Sequence, residues 1–306
     1  MSDSRMATVD LTESDLAERE GMQLDDRSFA RQAWLRFRRH RLALVSVALL
    51  LVVLIAFLFG PALTPFTIDG TDVPSRLQGP NLTHWFGTDA LGRDLFVRTV
   101  TGGRTSLLIA AVVSVLTTVI GTVIGALSGY LGGWVDAVLS QLTNLFLIVP
   151  AIVVLIVFSR SFGGSAIGTA LLLGALLWTQ IARIVRGLFL QYRNQEFVLA
   201  ARAAGAKAPR IMFRHILPNT FGPIVVSATL LVGIAIILES TLSFLGLGPQ
   251  PPATTLGTLV AEAKGSLIER PYELLLPAAF IVLITLAINF LGDAMRDALD
   301  PTSGRS

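Results

Sequence analysis

Two clusters of charged residues hold most of the chemistry this chain can do. The first is HWFGTDALGRDLFVRTVTGGRTSL, from His84 to Leu107. Asp89, Arg93, Asp94 and Arg98 alternate in sign at helical spacings, which can support a short amphipathic helix held by ion pairs. The plainer reading is a solvated face. The second is EFVLAARAAGAKAPRIMFRHILPN, from Glu196 to Asn219. Its Arg202, Lys207, Arg210 and Arg214 can meet acidic groups or lipid phosphates. Neither cluster sets a nucleophile beside a base and an acid, so no catalytic residue is expected. The three histidines, His40, His84 and His215, show no ligand spacing, and there is no cysteine. Disulfides and thiolate sites are therefore excluded, and no metal site or cofactor is expected. No GxxxxGK[ST] phosphate loop occurs, so the chain is not expected to hydrolyse ATP itself. Aromatic and basic residues interleave only ahead of the first apolar run, so nucleic acid is not an expected partner.

The second cluster reads as two short helices. Phe197, Ala200, Ala201 and Ala204 fall at i, i+3, i+4 and i+7, which marks one small, smooth face. Gly205 should end that helix, because glycine takes a left-handed turn at least cost. A second helix is expected from Pro209, which suits a first helical turn, to Leu217, with Pro218 stopping it. Two helices joined at a glycine and lying parallel to a membrane surface suit docking, since an alanine face admits a partner's backbone closely. A plain basic loop joining two membrane helices is the alternative.

The elements that must position these clusters are membrane spans. Of 306 residues, 53% are hydrophobic and 15% charged, against about 25% charged in soluble domains. Mean hydropathy is +0.68. Six spans are expected, at about 42–59, 107–127, 138–158, 166–184, 223–238 and 274–291. Residues 1–28 read as a disordered tail, and 29–41, FARQAWLRFRRHR, as a basic surface helix or a simple positive anchor. The run from Leu42 exceeds a signal-peptide core and is expected to stay as an anchor. Residues 42–306 form the transmembrane domain, with a cytoplasmic coupling loop at 185–222.

Single positions within the spans carry further expectations. Gly121, Gly125, Gly129 and Gly133 recur every four residues, a ridge for close helix approach within the chain or against a partner. Pro150 should kink the third span. Glu239 is either a helix-end carboxylate in an interface or a group facing a pathway. Asn289 reads as packing glue.

With the N terminus inside, 17 of the 24 Lys and Arg residues fall on the inner side and 7 on the outer. The positive-inside rule therefore places both termini and Glu196–Asn219 in the cytoplasm.

The second cluster resembles the cytoplasmic "EAA" loop of ABC-importer permeases: Glu-Ala-Ala, three residues, Gly, nine residues, then Ile-x-Leu-Pro. Ala200, Ala201, Gly205, Leu217 and Pro218 match in register. Leu199 replaces the glutamate, whose contact nearby Glu196 can partly replace. His215 takes the isoleucine place, with Ile216 one position on. The first cluster resembles GTDxLGRDxxSRxxxGxRxSL of the dipeptide, oligopeptide and nickel branch, through Gly87, Thr88, Asp89, Leu91, Gly92, Arg93, Asp94, Arg98, Gly102 or Gly103, Arg104, Ser106 and Leu107. Val97 replaces its serine. Segment Glu239–Gly257 is similar to the family's LSFLGLG stretch. Where relatives tend to carry Met-Arg and then Asp, this chain has Ser140, Gln141 and Asn144.

The resemblance implies an all-α, six-helix, type I ABC importer permease-like fold in a bacterial inner membrane. It implies the C-type member of a heterodimer with a B-type permease, two ATP-binding subunits and an extracytoplasmic substrate-binding protein. Glu196, Ala200, Ala201, Gly205, Ile216, Leu217 and Pro218 would couple the chain to the ATPase. Di- or oligopeptides are the expected cargo. Nickel or another small solute is the alternative, disfavoured because cysteine is absent and histidine scarce. A secondary carrier should show carboxylates at mid-membrane, and none stands well inside a span. A scaffold without transport would not require the long outer motif.

Overall fold

The computed structural model describes residues 34–38, 40–162 and 164–299, with side chains at 160–162 left aside. The expected tail 1–28, residues 29–33 and 39 of the expected surface helix 29–41, and the residues after 299 lie outside that range. Residues 34–38 are helical.

Helix α1, Arg41–Phe59, is an apolar rod whose start is capped by His40 Nδ1 accepting from the Ala43 N–H. An irregular segment leads to α2, Leu95–Leu131, a single helix of 37 residues. It begins twelve residues before the expected span, because Asp94 caps it by accepting from the Val97 N–H. It stops where Gly132 and Gly133 take positive φ, +69° and +55°. Then come α3, Gly133–Ile148, and α4, Ala151–Phe162, bent by 79° at their junction. The expected kink at Pro150 is thus a full break, as a residue without an N–H and with a ring against the preceding turn allows.

Helix α5, Ala166–Tyr192, is followed by the short α6, Glu196–Ala203, and by α7, a continuous 37-residue helix over Ala208–Phe244. Helix α8, Leu256–Ala263, lies beside the start of α2 and precedes α9, Pro271–Leu299. Among the described residues, α1 with its following turn, α2, α5, α7 and α9 are long and apolar enough to cross a membrane, and the bent α3–α4 pair makes a sixth candidate. No strand occurs among them; Thr88 and Asp94 form one isolated bridge.

Helix α5 is the centre of the bundle. Its most apolar stretch is 61% buried, against 22–33% for α1, α2, α7 and α9. Ala170, Leu173, Val185 and Phe189 are fully enclosed there, and Ile181 nearly so. The glycine ridge packs within the chain, against α5. A Cβ at Gly121, Gly125 or Gly129 would lie 2.5–2.6 Å from Ile181 Cβ, the Ala182 carbonyl or the Arg186 carbonyl. Gly133 is not part of it; it belongs to the turn. Asn289 of α9 faces Gly233 of α7, where a Cβ would lie 3.3 Å from its Oδ1.

At 1.5 Å per residue, α2 and α7 are each about 55 Å long, well beyond a hydrocarbon core of about 30 Å. Each therefore projects out of the membrane at its N-terminal end, on opposite sides. One projection carries the first charged cluster and the other carries the second.

Candidate functional site

At the α7 projection, α6 and the first turns of α7 form a helical hairpin. Val198, Ile211 and Ile216 are fully buried and Met212 nearly so, giving the hairpin its own apolar seam. Helix α6 ends as the sequence predicts. Gly205 has φ +80°, its N–H donates to the Arg202 carbonyl at 3.0 Å, and the Ala206 N–H donates to the Ala201 carbonyl at 3.0 Å. This paired closure satisfies two carbonyls left open at the helix end.

The second helix differs from expectation: Pro218 does not stop it. Residues Ile211–Ile216 widen into a π turn, and the Leu217 N–H donates to the Met212 carbonyl five residues back. A wide turn there gives the Pro218 ring room beside the preceding carbonyls. Asn219 Nδ2 donates to the His215 carbonyl at 2.6 Å, supplying a partner on the same turn. The hairpin thus runs without a joint into a membrane span.

The candidate coupling residues divide by exposure. Glu196, Ala200, Gly205 and Pro218 are exposed, Ala201 and Leu217 are half-buried against the core, and Ile216 is fully buried. The smooth face is therefore Ala200, Ala203 and Ala204, with Phe197 and Leu199 exposed at its edge. Ala201 turns inward instead of joining it. Glu196 stands in the first turn of α6, where a carboxylate favours the helix dipole.

The outer cluster is an enclosed ion-pair network rather than a solvated face. Asp89, Asp94 and Arg98 are only 9%, 2% and 3% exposed. Asp89 Oδ1 accepts from the Leu91 and Arg93 N–H groups at 2.8 and 2.9 Å. Its Oδ2 accepts from Arg93 Nε at 2.7 Å and Arg98 Nη1 at 3.0 Å. Burial pushes the Asp89 carboxyl up, but the Arg93 and Leu91 N–H groups and the Arg93 guanidinium outweigh it and hold it below the ordinary value. Arg98 continues to both oxygens of Glu262 on α8, at 2.8 and 3.2 Å. Asp94 Oδ2 pairs with His84 Nδ1 at 2.8 Å. At Gly92, φ is +77° and a Cβ would lie 2.0 Å from the Asp72 carbonyl, so only glycine fits. Arg104 donates to the Phe57 and Leu58 carbonyls at the end of α1.

Glu239 is fully enclosed within the chain. Ser106 Oγ donates to it at 3.0 Å, Ser243 Oγ donates at 2.7 Å, and Ser106 Oγ in turn accepts from the Leu256 N–H at 3.1 Å. The carboxylate ties α2, α7 and α8 together, so the helix-end reading holds over the pathway one.

A polar group missed in the sequence lies between α2, α3 and α5. Arg186 grips both oxygens of Asp136 at 2.6 and 2.7 Å, and Ser128 and Ser140 also turn to Asp136. The available signal was an arginine near the end of a span, a charge that needs a partner there. Among the described residues no group of His, Asp and Glu gathers as a metal site.

Comparison with known proteins accords with this geometry. The family described as "Binding-protein-dependent transport system inner membrane component" matches residues 121–304. The "N-terminal TM domain of oligopeptide transport permease C" matches residues 28–80. A putative peptide permease protein of Brucella suis is 41% identical over 87% of this chain and 89% of its own length. The oligopeptide transport system permease protein OppC of Escherichia coli K12 is 40% identical over 92% and 94%, and that of Bacillus subtilis 36% over 90% and 90%. Among solved structures, an inward-facing MetNI methionine ABC transporter chain superposes with a TM-score of 0.56 at 21% identity, over 66% of this chain and 96% of that one. At that identity the likeness concerns the fold.

Proposed function

The chain belongs to the family of binding-protein-dependent transport system inner membrane components, and from that premise we propose that it is the C-type permease subunit of an ATP-driven peptide importer. The relatives bearing peptide and oligopeptide permease names support the cargo class. On this reading the chain pairs with a B-type permease, two ATP-binding subunits and an extracytoplasmic binding protein. ATP is hydrolysed by the separate subunits, not by this chain. The N terminus and the α6–α7 hairpin lie in the cytoplasm, in keeping with the excess of arginine on that side.

The observation that carries the proposal is the hairpin fused to α7. An exposed alanine face at Ala200, Ala203 and Ala204 offers a close-packing surface. The π turn at Ile211–Ile216 joins that surface to a membrane span without a loop. Closure of the ATPase pair would move the hairpin as a rigid body, and α7 would transmit the displacement to the bundle. Two pathway states then differ in their affinity for the ATP-bound subunits, which drives the switch between them. Glu196, Gly205, Ile216, Leu217 and Pro218 take distinct parts. Glu196 offers a polar contact, Gly205 sets the turn, Ile216 and Leu217 hold the hairpin together, and Pro218 marks the junction with the span.

Proteoliposomes test the reading. The full complex should accumulate labelled peptide only with ATP and the binding protein both present. Uptake that proceeds without ATP overturns it.

A further inference from the structure

Beside the Asp136–Arg186 pair lies a cavity of about 250 Å³, lined chiefly by Ser128, Ser140, Thr143, Asn144, Arg183 and Arg186. That is room for several water molecules at about 30 Å³ each, or for one small charged group with its neighbouring atoms. The cavity's acceptors are already taken. Both Asp136 oxygens are held by Arg186, and Ser128 and Ser140 turn to the same carboxylate. Thr143 Oγ1 donates to its own helix, to the Leu139 carbonyl at 2.8 Å.

The donors are not taken. Arg183 makes one hydrogen bond, from Nη2 to Asn144 Oδ1 at 3.2 Å, and no ion pair among the described residues. Among the described residues, its Nε and Nη1 make no hydrogen bond, and neither do Arg186 Nη1 and Asn144 Nδ2. Arginine stays charged in proteins. Asp136 balances Arg186, so the Arg183 charge is left over. Arg183 stands nine residues before the end of α5 at Tyr192, roughly 13 Å along the axis from the hairpin end. Arg183 and Asn144 are both exposed, so the unmatched charge is open to an arriving anion.

We propose that this cavity is an oxyanion subsite, in which Arg183, helped by Arg186 Nη1 and Asn144 Nδ2, receives one carboxylate or phosphate group. The planar guanidinium matches either group through paired N–H bonds. Basic pockets between spanning helices also take lipid headgroups. The two sources are a net-anionic membrane phospholipid, whose phosphate has no cationic group beside it, and the free carboxylate end of a peptide cargo. The inference rests on the cavity's own balance of donors and charge, and only its second source depends on the peptide reading.

The sequence supplies a self-blocking variant. Asn144→Asp places a carboxylate on the atom Arg183 already contacts, neutralising the site from within while leaving the contact in place. Arg183→Gln removes the charge instead. The assembled complex would be placed in nanodiscs of phosphatidylcholine containing phosphatidylglycerol, and native mass spectrometry would count retained phosphatidylglycerol. In a parallel arm, binding and uptake would be compared for one peptide with a free and an amidated C terminus. The wild type should show a preference of about tenfold for the anionic form in one arm, as expected for paired charge-assisted hydrogen bonds. Both variants should abolish it, and Arg183→Lys should restore part of it. Loss in the lipid arm assigns the site to a phospholipid phosphate, and loss in the peptide arm assigns it to the cargo carboxylate. A wild type without preference in either arm, or variants that keep the wild-type preference, would overturn the proposal. Failure of the permease reading would look different, as no uptake of either peptide by the wild type, with the lipid arm still giving its answer.

Discussion

Gly125 of α2 lies so close to α5 that a Cβ added to it would sit 2.5 Å from the carbonyl oxygen of Ala182. Real side chains essentially never approach a backbone oxygen that closely. The ridge Gly121–Gly125–Gly129 therefore sets the distance between the two most intimately packed helices of the bundle. Gly125→Val should force α2 off α5 at a cost of about 1–3 kcal/mol. Thermal denaturation in detergent should show a clear drop in midpoint, whereas Gly187→Ala, with nothing within 4 Å of its added Cβ, should leave it nearly unchanged.

The outer network makes a ranked prediction. Arg98 is buried between Asp89 and Glu262, while Glu262 is about half exposed. Arg98→Met leaves a buried carboxylate with one partner fewer and should cost about 3 kcal/mol. Glu262→Gln removes an exposed charge and should cost about 1 kcal/mol or less. Equal melting shifts for the two would contradict the assignment of Arg98 as the buried centre.

Asp89 also gives a pH dependence. Its carboxyl is held below the ordinary 3.8 in the folded chain, so folding stabilises the ionised form. That contribution is full above the unfolded value and is lost as pH falls through the lower folded one. From neutral pH down to about 5, the wild type should lose nothing on this account. Below about 4 it should lose stability, and Asp89→Asn should lack that acid-side loss. Melting midpoints measured across the acid range check it.

How much of this could be read in advance depended on how local the cause was. Gly205 ends α6 through its own backbone and two bonds within five residues, and the sequence announced it. The glycine ridge announced a close approach but not the partner, because spacing says nothing of which helix lies opposite. The charged motif reads either as an ion-paired helix or, more plainly, as a solvated face, because Glu262, which encloses Arg98, lies 164 positions away. Pro218 reads as a stop, because nothing in residue type marks the π turn that lets this helix absorb a proline. The Asp136–Arg186 grip spans 50 positions, so an arginine near the end of a span signals a partner without saying which.

At the hairpin, the turn and the face can be separated. Gly205→Val places a branched side chain at φ +80°, which should loosen the end of α6 at a cost of about 1–2 kcal/mol while leaving the helix bundle intact. Limited proteolysis should then cut first between Ala203 and Ala208. Ala201 is a poor probe of the face, since it is half-buried and a large residue there would disturb the hairpin itself. Ala200 and Ala204, both exposed, are the better sites.

The most direct test is mild-detergent purification of the tagged chain from its native cells, with mass spectrometry of what accompanies it. The wild type should bring a second permease and two ATP-binding subunits. Ala200→Trp and Ala204→Trp should keep the permease and lose the ATP-binding subunits. A chain that purifies alone, or variants that retain the ATP-binding subunits in full, would contradict the claim that this hairpin couples the bundle to ATP.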